Sequence, residues 1–241
     1  MTDGLPPLIP RSVLFGNPEK ADPQVSPDGT MLAYIAPLDG VLNVWVGPLD
    51  GDEPRPVTRD ADRGIRVYFW AHDGKHLLYL QDAGGDENWR LYKVRLEDEA
   101  VEDLTPFTEV QVQIVAHDKR HPNELLIAMN KEDARLHDVY RLDLTTNALS
   151  LVAANPGNVL GWVADTHFAV RAALTSTPEG GSELLVRDTA GDEWRVFLQW
   201  NAEDSLSSWP LGFTLDGKQL YVADSCGVNA GRLVKMDLAS A

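Results

Sequence analysis

Short apolar stretches separated by polar turns recur along the whole chain with a long period. Five of the turns centre on an aspartate: Ser26-Pro27-Asp28-Gly29, Ala71-His72-Asp73-Gly74, Ala116-His117-Asp118-Lys119, Val163-Ala164-Asp165-Thr166 and Thr214-Leu215-Asp216-Gly217. From one aspartate to the next the chain advances 45, 45, 47 and 51 residues. Repeats of about 40–50 residues built of short strands are the mark of propeller blades.

Each repeat reads as four strands. A first strand, such as Ile65-Arg66-Val67-Tyr68-Phe69-Trp70, leads into the aspartate turn, where Asp-Gly supplies the positive φ of a tight reversal. The second strand is continuously apolar, as in Met31-Leu32-Ala33-Tyr34-Ile35 or Leu125-Leu126-Ile127-Ala128, which suits burial on both faces between stacked blades. The third alternates apolar and polar positions, as in Arg90-Leu91-Tyr92-Lys93-Val94 or Asp138-Val139-Tyr140-Arg141-Leu142. The fourth is a short outer strand, read at Arg55-Pro56-Val57-Thr58 and Ala148-Leu149-Ser150-Leu151-Val152, where proline is tolerated. Helical periodicity is confined to a short candidate at Pro10 to Phe15.

The pattern therefore predicts an all-β fold, a β-propeller with about five four-stranded blades. A lead-in segment covers residues 1–22 and a partial propeller residues 23–241, with blades near 23–60, 64–107, 110–154, 158–203 and 207–241. A β-sandwich also carries many short strands, but nothing in it repeats one turn at this period. The fifth repeat reaches only its third strand, so a ring truncated before closure is expected.

Charge narrows the function. Asp and Glu number 37 against 21 Lys and Arg, a formal net charge of -16, the opposite of what phosphate binding requires; nucleic acid and anionic membrane surfaces are not expected partners. Prolines at 6, 7 and 10 and the lack of a basic start argue against a secretory leader, and a cytoplasmic location is expected. Cys226 is the single cysteine and reads as incidental, lying where a strand runs into a turn.

The most distinctive local chemistry lies in Asp82-Ala83-Gly84-Gly85-Asp86-Glu87, where Asp82, Asp86 and Glu87 stand in glycine-rich chain and could converge on one cation. His72 and His76, and likewise His117 and His121, flank turns and face different ways, so no metal site is expected. The loop Asp50-Gly51-Asp52-Glu53 lacks the regular ligand spacing of a calcium site. Trp45, Trp70 and Trp89 are assigned to core packing, whereas Trp200 and Trp209 read as residues lining a cavity or an interface. The nearest approach to a nucleophile elbow, Gly180-Gly181-Ser182-Glu183-Leu184, lacks its closing glycine and falls in an expected hairpin. No catalytic residue and no cofactor are expected in this chain.

Four segments stand in a characteristic order: Leu14-Phe15-Gly16-Asn17-Pro18, Pro23-Gln24-Val25-Ser26-Pro27-Asp28-Gly29, Leu42-Asn43-Val44-Trp45-Val46 and, most specifically, Asp82 to Tyr92. This order of motifs resembles the amino-terminal propeller of the prolyl oligopeptidase family, in its acylaminoacyl-peptidase and dipeptidyl-peptidase-like branch. The likeness is good over residues 8–150 and looser beyond. The resemblance implies part of a seven-bladed ring that gates a C-terminal α/β-hydrolase domain carrying a Ser-Asp-His triad, admitting short peptides. It also implies that Glu87, and less directly Asp86 and Asp82, meets a substrate amino end or an arginine of the hydrolase domain. A homo-oligomer of the whole protein is compatible with this reading. The alternatives are a stand-alone TolB-like propeller serving as a protein scaffold, or a propeller enzyme of another class; the latter would need inward acids and histidines from several blades.

Overall fold

The computed structural model describes residues 8–51 and 53–240. The first seven residues of the lead-in segment and Asp52 of the acidic loop lie outside that range, and a five-residue helix, Arg11–Phe15, stands where the lone helical signal predicts one. Apart from two single-turn 3-10 helices, Asp204–Leu206 and Leu238–Ser240, the described chain is otherwise strand and turn, with no helix long and apolar enough to cross a membrane.

Among the described residues nineteen strands form five antiparallel sheets, each drawn from consecutive segments. The first sheet comprises β1 (Ala21–Val25), β2 (Met31–Leu38), β3 (Val41–Pro48) and β4 (Arg55–Pro56). The second comprises β5 (Val67–Trp70), β6 (His76–Gln81), β7 (Arg90–Arg95) and β8 (Val101–Asp103). The third holds β9 (Val112–Ala116), β10 (Glu124–Asp133), β11 (Leu136–Asp143) and β12 (Leu149–Ala153). The fourth holds β13 (Val159–Ala164), β14 (Val170–Ser176), β15 (Ser182–Val186) and β16 (Arg195–Trp200). The fifth has three strands, β17 (Trp209–Phe213), β18 (Gln219–Asp224) and β19 (Arg232–Asp237). The sheets are propeller blades in strand order and burial, as the period predicts.

The repeating aspartate has a repeating task. The Oδ1 of Asp28, Asp73, Asp118, Asp165 and Asp216 accepts the backbone N–H two residues on, at 3.0, 2.8, 2.9, 2.9 and 3.1 Å respectively. This is the Asx turn, in which a short carboxylate replaces a backbone acceptor. Where glycine follows, at Gly29, Gly74 and Gly217, φ is positive and the glycine N–H closes the turn onto the residue three before it. In the third and fourth blades the turn slides forward, and His121 and Phe168 donate to Asp118 and Asp165 instead.

The chain divides into two compact units. The first contains the first two blades, whose facing residues Ala33, Ile35, Val44 and Val46 pack with Tyr68, Trp70, Leu77, Tyr79 and Val94. Two donors fix this packing: the Tyr68 hydroxyl to Asp22 O at 2.5 Å and Trp70 Nε1 to Gln24 O at 3.1 Å. Burial pushes the Tyr68 phenol well above its ordinary pKa. Ile65, the expected start of this blade's first strand, lies outside β5. Its N–H bonds Leu42 O at 2.8 Å and its side chain is buried in the same core, so strand pairing starts only at Val67. The expected outer strand Arg55–Thr58 is likewise shorter, because Val57 and Thr58 turn inward and are buried.

The second unit contains the other three blades. Leu126, Ala128, Val139, Phe168 and Val170 form one core, and Ala172, Leu184, Val186, Phe197, Trp200, Leu220 and Val222 form the next. Fully buried leucines of this kind each contribute roughly 2 kcal/mol of transfer free energy. Among the described residues nothing covers the second face of the fifth blade, so Tyr221 and Leu233 are exposed where equivalent positions elsewhere are buried.

Candidate functional site

The Asp82–Glu87 loop joins the second and third strands of the second blade, between Gln81 and Arg90. Its path needs residues that accept a left-handed backbone: Gly84 and Gly85 have φ of 62° and 85°. Asp86 fastens the loop to itself, accepting Ala83 N–H on Oδ1 at 3.1 Å while its own N–H reaches Ala83 O at 3.2 Å.

The three acids take different positions. Asp82 is buried, and neither carboxylate oxygen has a hydrogen-bond partner. Its ionic neighbour is Arg63, whose Nε lies 3.7 Å from Oδ1. Asp86 is exposed and holds the turn. Glu87 is exposed and adopts φ of 58°, a conformation that a residue with a Cβ takes at a cost of roughly 1 kcal/mol. Such strained positions persist where the surroundings fix them, and they concentrate at functional sites.

Arg63 is the residue that sequence reasoning missed. It belongs to the loop between the first and second blades, and that loop is held from below by Asn43, which is fully buried in β3. Asn43 accepts from Asp60 N at 2.7 Å and from Thr58 Oγ1 at 2.9 Å, and donates to Asp60 O at 2.9 Å. Asp60 in turn accepts Gly64 N–H at 2.6 Å. Gly64, at φ of 78°, passes so close to Leu42 that a Cβ would lie 3.1 Å from its backbone nitrogen. Arg63 is thereby carried over the acidic loop, and a Cβ on Gly85 would sit 3.2 Å from its Cζ. A half-exposed guanidinium with a buried carboxylate behind it is an oriented cation, competent to receive a carboxylate or carbonyl from solvent. The legible signal was Asp60-Ala61-Asp62-Arg63-Gly64, a turn-forming run carrying one cation, but its destination is set by Asn43 and not by local pattern.

The other expected positions separate. Trp70 is buried, and Trp45, half-buried, donates from Nε1 to Ala36 O at 3.1 Å. Trp200 is a core residue of the second unit, donating to Asp224 Oδ1 at 3.0 Å, whereas Trp209 is exposed. His76 pairs with Asp73 at 2.6 Å, and His121 stacks on Phe168. Ser182 stands at the start of β15, past the hairpin expected there.

No protein-family model matches the chain. It is 44 % identical over 234 residues, 97 % of its length, to dipeptidyl aminopeptidase BIII of Pseudoxanthomonas mexicana, of which it covers 34 %. It is 29 % identical over 241 residues to dipeptidyl peptidase family member 6 of Caenorhabditis elegans, covering 94 % of this chain and 32 % of that one. The chain thus spans about a third of the length of these curated relatives. Among solved structures, a prolyl endopeptidase shares the fold with a TM-score of 0.69 at 14 % identity, over 92 % of this chain and 34 % of its own. TolB from Acinetobacter baumannii does so with a TM-score of 0.56 at 15 % identity, over 90 % of this chain and 51 % of its own.

Proposed function

From a chain that is a propeller segment homologous to dipeptidyl aminopeptidase BIII and folded like the propellers of prolyl oligopeptidases, we propose a gating and substrate-binding role in a serine peptidase of short peptides. The carrying observation is the identity of 44 % along almost the entire chain, against fold likeness alone for TolB. On this reading further blades and an α/β-hydrolase domain complete the protein, and peptides reach the triad through the propeller.

Within that role Glu87 receives the free amino end of the peptide. Its exposure, its strained backbone and its place at a glycine-rich tip support this, and the opposite charge is what an ammonium group requires. Arg63, reaching in from the loop between the first and second blades and held by Asp82, lies beside Gly85 and takes a carbonyl or carboxylate of the peptide or of the hydrolase domain.

Magnitude decides how this is tested. An ion pair left at a wet surface contributes about 0.2–1 kcal/mol, a factor of a few in affinity. Breaking a pair covered by a second domain costs about 3–5 kcal/mol. In the full-length protein, Glu87→Gln should lower kcat/KM for peptides with a free amino terminus by more than tenfold, with amino-blocked peptides little affected. Unchanged kinetics on both substrates would remove Glu87 from the site.

A further inference from the structure

The fourth and fifth blades meet in a recess of about 410 Å³, at the end where β14, β16 and β18 begin and β19 finishes. Three cations line it, Arg171, Arg195 and Lys218, together with the carboxylates of Asp188 and Asp237. In a chain of formal net charge -16 these cations converge against the overall field.

Both arginines are anchored by backbone carbonyls and keep further donors open. Arg171, its side chain 10 % exposed, donates from Nε to Arg187 O at 3.2 Å. Its Nη1 reaches Gly217 O at 2.8 Å and Asp165 Oδ2 at 3.3 Å, and its Nη2 has no acceptor among the described residues. Gly217 admits this approach, since a Cβ there would fall 2.7 Å from Nη1. Arg195 donates from Nη2 to Leu238 O at 2.5 Å and stands 3.9 Å from Asp188 Oδ1. Its Nε and Nη1 have no acceptor among the described residues, and the exposed Lys218 donates no side-chain hydrogen bond there.

The joint between the first and second blades shows what such donors meet when the chain supplies a partner. Arg55 opens β4 opposite Val46 as Arg195 opens β16 opposite Val186. Each arginine bonds the carbonyl just past the third strand of the next blade, Leu96 O and Leu238 O respectively. Those leucines correspond in turn: each donates its N–H at 3.0 Å to the lysine carbonyl that follows an Asp-Gly turn, Lys75 O and Lys218 O. At the first joint Glu99, three residues past Leu96, accepts Arg55 Nη1 at 2.5 Å and Arg59 Nη2 at 2.8 Å. Three residues past Leu238 the sequence has Ala241, so Arg195 has no counterpart of Glu99.

The geometry points to a carboxylate-binding site in this recess, the ligand standing to Arg195 as Glu99 stands to Arg55, with Arg171 Nη2 and Lys218 Nζ completing the donor set. A planar guanidinium fork matches the two oxygens of a carboxylate. Asp188 and Asp237 line the same recess and repel a dianion more than a monoanion, which favours a carboxylate over phosphate. A peptide carboxyl terminus and an acidic side chain both present this group. The site is separate from the Glu87 loop and does not depend on the role proposed for it.

The test is titration of the 241-residue chain with its C-terminus amidated, so that position 241 supplies no carboxylate of its own. Binding is followed by the Nε–H resonance of Arg195 and the amide resonance of Leu238. N-acetyl-alanine presents a main-chain carboxylate, N-acetyl-glutamic acid α-amide a side-chain one, and N-acetyl-alaninamide neither; inorganic phosphate is the competing anion. Saturable shifts are expected with one or both carboxylates, the tighter probe naming the source, with weaker binding of phosphate and none of the neutral compound. Arg195→Gln should weaken carboxylate binding about tenfold. Lys218→Gln, at an exposed position that the core does not use, should weaken it about threefold, and it decides the matter if Arg195→Gln disturbs folding. No saturable shift at millimolar concentrations, equal shifts with the neutral probe, or phosphate binding tighter than both carboxylates would each overturn the proposal. So would unchanged affinity in a folded Arg195→Gln variant or in Lys218→Gln.

Discussion

Asp224 is the buried charge whose removal has the most defined consequence. It lies at the end of β18, 8 % exposed, and joins two blades of the second unit. Its Oδ1 accepts Trp200 Nε1 at 3.0 Å and Cys226 N at 3.3 Å, and its Oδ2 accepts Arg232 Nε and Nη2 at 3.2 and 2.9 Å. Truncation to alanine leaves the buried indole N–H without an acceptor, at about 1–3 kcal/mol. Arg232 is more than half exposed and can turn to water, so its loss adds under about 1 kcal/mol. Asp224→Ala should therefore lower stability by about 2–3 kcal/mol. Asp224→Asn keeps an acceptor for Trp200 and should cost about half as much. Burial pushes the Asp224 pKa up, but the bonds from Trp200 and Arg232 outweigh it and hold the carboxyl below the ordinary range. A depressed folded pKa means stabilisation that is fully present above the unfolded value of about 3.9 and lost as pH falls through the folded one. The gap between wild type and Asp224→Asn should thus be constant from pH 5 to 7 and narrow below about pH 4. Urea unfolding followed by circular dichroism, extrapolated linearly at each pH, reads all three variants. Equal stability of the alanine and asparagine variants, or a gap that widens in acid, would refute the reasoning.

Other outcomes follow from the same geometry. Leu126→Ala, at a fully buried core position of β10, should cost about 3 kcal/mol in the same assay. Gly181→Ala should destabilise by about 1–3 kcal/mol or more, since the new Cβ meets a carbonyl 2.3 Å away; a neutral effect in thermal unfolding would show that the hairpin yields. Glu87→Gly should raise stability by about 0.5 kcal/mol, relief of its positive φ being partly offset by the entropy glycine adds to the unfolded chain, while lowering peptide turnover in the full-length protein. A variant that gained neither stability nor lost turnover would contradict both assignments of that residue.

The blades were readable because their signals are local. An aspartate that accepts the N–H two positions ahead leaves the same mark in every repeat, and a continuously apolar second strand needs only its own residues to declare itself. Ile65 and Val57 were misplaced at strand ends, because apolar character there serves burial between blades and not ladder pairing. The acidic loop was legible as a cluster, yet the division of labour within it was not. Asp82 turns inward only because Arg63 is delivered by a loop that Asn43 holds from another strand. Trp200 stands in a polar run that reads as loop, and its burial depends on Asp224, a partner 24 residues away. In the sequence Ser182 stands out only by a distant likeness to a nucleophile motif; its buried, unpaired hydroxyl is visible in three dimensions alone.

Every sheet is assembled from neighbours in sequence, and this has a consequence for how the chain comes into being. Partners such as Glu124 and Asp143, or Ser182 and Trp200, are within about twenty positions of each other, so loop closure is cheap at each step. A blade can complete its hydrogen-bond ladder as soon as its own residues have left the ribosome, long before synthesis ends. Each finished blade then offers an apolar face as a template for the next, and assembly proceeds by nearest-neighbour addition, as in other repeat architectures. On this account a pause during translation leaves an ordered intermediate with a single sticky face, such as that marked by Tyr221 and Leu233, in place of a collapsed chain.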